Sequence, residues 1–126
     1  MTVLLFALGF AWWPMPPDRL AGSVWSCQVA DGCADQLRFR APNKAVEYSC
    51  EQRYASHGTY ALRQDTLTLL VTDDSHAEDG GQPVRYRTTY RLTGSRTLHL
   101  FRIEELVNQT WRKVPQERQH AYTRVR

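Results

Sequence analysis

Lysine is almost missing: among the 16 basic residues of this 126-residue chain only Lys44 and Lys113 are lysines, and no block of like charges occurs. Without such a block the basic-tail signature of nucleic-acid binding is lacking, so no nucleic-acid partner is expected. The formal net charge of +3 leaves only a general preference for anionic partners. There is no Gly-x-Ser-x-Gly elbow, no HExxH pair and no calcium-loop spacing, and His57, His99 and His120 fall on separate segments. No catalytic residue, metal site or cofactor is expected, and the chain reads as non-enzymatic. A membrane-spanning run is lacking too. The apolar stretch from Val3 to Trp13 is about eleven residues, the length of a signal-peptide core. No Lys or Arg precedes it and no Ala-x-Ala follows it. Residues 1–19 are read as a signal peptide or N-terminal anchor, with a packed structural element as the alternative, and residues 20–126 as one domain. Membrane contact is expected only through that first segment, and a periplasmic or secreted address follows from it.

What is present is alternation. Trp25, Cys27 and Val29 share one parity, as do Leu37 and Phe39 against Arg38 and Arg40. The same period runs through Val46, Tyr48 and Cys50, through Tyr60 and Leu62, and through Leu67, Leu69 and Val71. It resumes at Tyr86, Thr88, Tyr90 and Leu92, and again at Leu98 and Leu100. Turn residues fall between these runs at Asp31-Gly32, Pro42-Asn43, Gln64-Asp65, Gly80-Gly81 and Gly94. The expected fold is all-β: a small antiparallel up-and-down meander barrel of eight or nine strands, closed because so many short strands would otherwise leave exposed edges. Its inward aromatics Trp25, Phe39, Tyr48, Tyr60, Tyr86 and Tyr90 are the candidate ligand-binding set for a small apolar or aromatic molecule. The alternative is that these rings simply fill a narrow barrel.

Three cysteines require a choice of pair. An odd loop ending at Cys33 would set Cys27 opposite Leu37, and a two-residue turn at Pro42-Asn43 would set Leu37 opposite Tyr48 and Asp35 opposite Cys50. Cys27 and Cys50 are then a strand apart, roughly 9.5 Å, too far for a disulfide. The expected bridge is Cys33–Cys50, with Cys27 a buried thiol against Leu37 and Tyr48.

Three surface features complete the reading. The loop from Asp73 to Asp79, with His76 and Glu78, concentrates ligand-type side chains without a metal motif; a solvated loop is expected. Arg38, Arg40, Arg85, Arg87 and Arg91 lie on the solvent faces of two strands, a cationic strip if closure brings those strands together. Asn108 opens a glycosylation sequon by pattern alone.

Leu20, Gly22 and Trp25 in "LAGSVW", opening a string of antiparallel strands, resemble the start of lipocalins and of small lipocalin-like domains of bacterial envelopes. Lipocalins carry one residue between the Gly and the Trp; here Ser23 and Val24 intervene. The resemblance implies that Trp25 packs at the barrel base beneath an arginine from the last strands, Arg124 or Arg112. It also implies a secreted binding protein for a small apolar ligand. The alternative is an envelope protein-interaction or inhibitor module with a filled barrel. Periplasmic lysozyme inhibitors are barrels of comparable size, although a net positive chain suits a basic lysozyme poorly.

Overall fold

The computed structural model describes residues 18–75, 80–116 and 120–126. Residues 1–17 of the expected signal peptide or anchor, and His76, Glu78 and Asp79 of the acidic loop, lie outside the described residues, whereas the last two residues of that first segment, Asp18 and Arg19, are described. Nine strands follow one another: β1 (Val24–Ala30), β2 (Cys33–Arg40), β3 (Lys44–Ser49), β4 (Tyr54–Arg63), β5 (Thr66–Asp73), β6 (Val84–Thr93), β7 (Thr97–Val107), β8 (Thr110–Lys113) and β9 (Ala121–Arg124). Strands β1 to β7 form a meander, and β9 returns between β7 and β1 to close an eight-stranded antiparallel barrel. The extra strand β8 pairs with Glu104–Val107 of β7, in the lane that β9 occupies beside Thr97–His99.

Alternation builds the core as the sequence predicts. Trp25, Leu37, Leu67, Leu69 and Leu98 are wholly inaccessible, and Phe39, Tyr60, Leu92 and Tyr122 join them in one cluster. Residues 18–23 run across the base and seal it. Leu20 enters the core, Gly22 N–H donates to the Phe39 carbonyl (2.8 Å), and the Tyr60 hydroxyl donates to the Asp18 carboxylate. The Trp25 indole donates to Ser23 Oγ (2.8 Å), and the Arg124 guanidinium lies 5.9 Å from the Trp25 ring centre. Of the two arginines considered for that place, Arg124 occupies it.

Two registers differ from the sequence-based expectation. In the first hairpin the turn has only the two residues Asp31 and Gly32, the glycine at φ 68°, and a bulge at Val29 supplies the odd residue. Parity is preserved but the pairing moves by two: Trp25, not Cys27, faces Leu37, and Cys27 faces Asp35. In the second hairpin the turn holds three residues, Ala41 to Asn43, with a cis Ala41–Pro42 bond. That shift of one sets Leu37 opposite Glu47 and Phe39 opposite Ala45, so Ala45 and Glu47 point inward while Val46 and Tyr48 point out.

The Cys33–Cys50 disulfide is formed, with Cα atoms 5.5 Å apart, and Cys27 is free and buried. Its neighbours are Asp35 and the Ala121 amide rather than Tyr48. Asp35 Oδ1 accepts the Cys50 N–H (2.9 Å), fixing the turn after β3 where the bridge needs it. Reduction is expected to remove about 3 kcal/mol of stability, because the bridge closes a loop of moderate length in the unfolded chain. Denaturant midpoints with and without reductant read this directly, and equal midpoints would contradict it.

Candidate functional site

The expected ligand-binding aromatics divide into three groups. Trp25, Phe39 and Tyr60 belong to the sealed base; Phe39 and Tyr60 meet edge to face at 4.9 Å. Tyr48 lies on the outer face with Gln36 and Ala55, a correction that follows from the three-residue turn. Tyr86 and Tyr90 alone of the set reach the upper barrel. They are joined there by Tyr122, whose ring packs edge to face on Tyr90 at 5.8 Å. The expected set omits Tyr122, although in the closing stretch "HAYTRV" it shares parity with Arg124.

Above the base, among the described residues, the ladder round the barrel is not continuous. Among the described residues β1 pairs with β9 only at Trp25 and Ser26, and no ladder joins β1 to β8. The inward residues Val29, Tyr86 and Leu100 accordingly remain only half-buried while packing on the core below. Glu47 and Asp73 face the same upper space, with Asp35 beside Cys27 and Glu105 opposite Tyr86.

This environment disfavours negative charge. Burial, then Asp35, then Asp73 push the Glu47 carboxyl up to about 7. Burial, then Glu47, then its neighbour Tyr122 hold the Tyr90 phenol well above its ordinary value, and Tyr122 is raised chiefly by burial. Burial likewise raises the Cys27 thiol, although the Ala121 amide opposes it, so the thiol stays protonated. Because Glu47 binds its proton more tightly in the folded protein than the ordinary 4.5 of the unfolded chain, folding is favoured below that pH. The contribution is lost as pH rises to about 7, and stays lost above it. The expected change is on the order of 2 kcal/mol. Glu47→Gln should flatten chemical-denaturation stability between pH 5 and 7.5 and raise it at pH 8; an unaltered slope would remove Glu47 as the cause.

The outer surface departs from the expected cationic strip. β2 and β6 are separated by three strands in either direction round the barrel, so Arg38 and Arg40 lie opposite Arg85, Arg87 and Arg91. On the β6 side Arg87 makes two bonds to Glu104 (3.0 and 2.9 Å) and stacks on Trp111, while Arg91 stacks on Phe101. Among the described residues no group of three or more His, Cys, Asp or Glu side chains is arranged to hold a metal ion.

The architecture defines a class, a small antiparallel eight-stranded closed barrel with one added strand, consistent with a lipocalin-like fold. No family model matches the chain, and no curated protein or solved structure matches it.

Proposed function

We propose that this chain is a non-enzymatic, lipocalin-like binding protein of the periplasm or cell exterior that takes a small apolar or aromatic molecule in the upper barrel. The observation that carries this reading is the contrast along the barrel axis. Trp25, Leu37, Leu67, Leu69 and Leu98 have no accessible surface, whereas inward-facing Val29, Tyr86 and Leu100 stay half-buried where, among the described residues, no ladder joins β1 to β8. Apolar walls with a few convergent polar groups suit such a ligand, and Glu47 with the Tyr122 hydroxyl supplies those groups. The disulfide is compatible with an oxidising compartment.

N-phenyl-1-naphthylamine, whose emission rises on leaving water, tests the chamber. Saturable enhancement at micromolar concentration is expected, and Leu100→Trp should abolish it by filling the space. No enhancement, or enhancement indifferent to Leu100→Trp, would leave the filled-barrel interaction module as the better account.

A further inference from the structure

A second concave surface lies outside the barrel, near its base and apart from the chamber. It encloses about 650 Å³ over β2, β3 and β4, with the apolar side chains of Val24 and Val46 among its lining. Arg38, Arg40, Lys44, His57 and Arg126 stand round it, and among the described residues no Asp or Glu lines it.

The register arranges these groups in two cross-strand rows. Arg40, Lys44 and Thr59 form one; Arg38, Val46 and His57 form the next. Arg40 and Lys44 are therefore direct cross-strand partners, and like charges in that position oppose sheet formation. Among the described residues neither forms an ion pair, nor does Arg38 or Arg126. Arg38 is instead held along its strand by two bonds to the neutral Gln36 Oε1 (3.2 and 3.0 Å). The opposite wall behaves differently, since Glu104 there meets both Arg87 and Arg102, and Arg87 holds its carboxyl below the ordinary range. On that wall a carboxylate accompanies Arg87 and Arg102; around the cleft, among the described residues, none accompanies Arg38, Arg40 or Lys44.

We infer that this cleft is a binding site for an organic phosphate, with the phosphoryl oxygens between Arg40, Lys44 and Arg38 and the organic body on Val24 and Val46. Guanidinium forks match phosphoryl oxygens, and an anion lodged between Arg40 and Lys44 turns their repulsion into two attractions. A soluble phosphate ester and a phospholipid headgroup share this chemistry. The site is independent of the chamber, so either can fail alone.

Phenyl phosphate, followed by calorimetry and by amide shifts in 15N-labelled protein, tests one source. Vesicles of one part phosphatidylglycerol to three parts phosphatidylcholine test the other. Binding is expected to weaken with salt and to move the Val46, His57 and Gly58 amides. The double variant Arg40→Gln, Lys44→Gln should lose about tenfold or more in affinity while melting no lower than the parent, since a repulsive pair is removed. Arg85→Gln, an exposed charge on the far wall, should change nothing. Binding to vesicles alone keeps the site and assigns it to a lipid headgroup. Absence of binding in both arms at low salt, or an equal loss in Arg85→Gln, overturns the inference.

Discussion

A Trp25→Ala variant is expected to melt roughly 15 °C or more below the parent protein, a loss of about 4 kcal/mol for a domain of this size. The side chain is wholly inaccessible, so truncation opens a cavity bounded by β1, β2, β9 and the base segment, and rigid strands cannot collapse into it. It also removes the indole that donates to Ser23 and the ring face over which Arg124 lies. Trp25→Phe separates these contributions. It keeps most of the volume and loses the indole donor, so a loss of about 1–2 kcal/mol is expected. Thermal unfolding followed by circular dichroism measures both variants. A Trp25→Ala midpoint within a few degrees of the parent would show that the base is not closed as described.

The second large effect comes from removing no atoms at all. A Cβ built at Gly58 would sit 1.9 Å from the Leu70 carbonyl oxygen, 2.8 Å from its carbon and 2.9 Å from the Val71 Cα. These are backbone atoms of the adjoining strand, which cannot swing aside as a side chain can. Gly58→Ala must therefore part β4 from β5 near one end of their ladder, at an expected cost of about 3 kcal/mol or more. Gly94→Ala is the natural comparison. Its φ is 61° and nothing lies within 4 Å of the added carbon, so only backbone strain of about 1 kcal/mol is expected. Equal midpoints for the two variants would refute the close approach of β4 and β5.

Gly58 also illustrates where sequence reasoning stopped short. The alternation marks Tyr60 and Leu62 as a strand, but β4 begins at Tyr54 and runs through the glycine. A glycine inside a strand reads locally as an interruption, whereas here it permits the close approach of the β5 backbone at Leu70 and Val71. Tyr48 was misplaced for a related reason. Turn length sets register, and Pro42-Asn43 is compatible with a turn of two residues or three; the choice rests on how β2 and β3 pack, and it inverts every side chain of β3. The same inversion brings Glu47 into the barrel, so the most perturbed carboxyl of the upper chamber carried no mark in its own segment. Tyr122 was absent from the expected aromatic set as well, and the signal that points to it is its shared parity with Arg124 in β9.

The chain's own residues determined that it is an antiparallel barrel of short strands and that Cys33 joins Cys50. Each of these follows from a period of two or from a short chain separation, which local covalent geometry imposes whatever the surroundings. Only the closed fold decided that Arg38 and Arg87 stand on opposite walls, that Glu47 faces inward, and that Arg40 and Lys44 are neighbours. Those relations depend on the number of strands round the circumference and on single-residue shifts in pairing. Such quantities are set by packing of the whole molecule, and no window of sequence contains them.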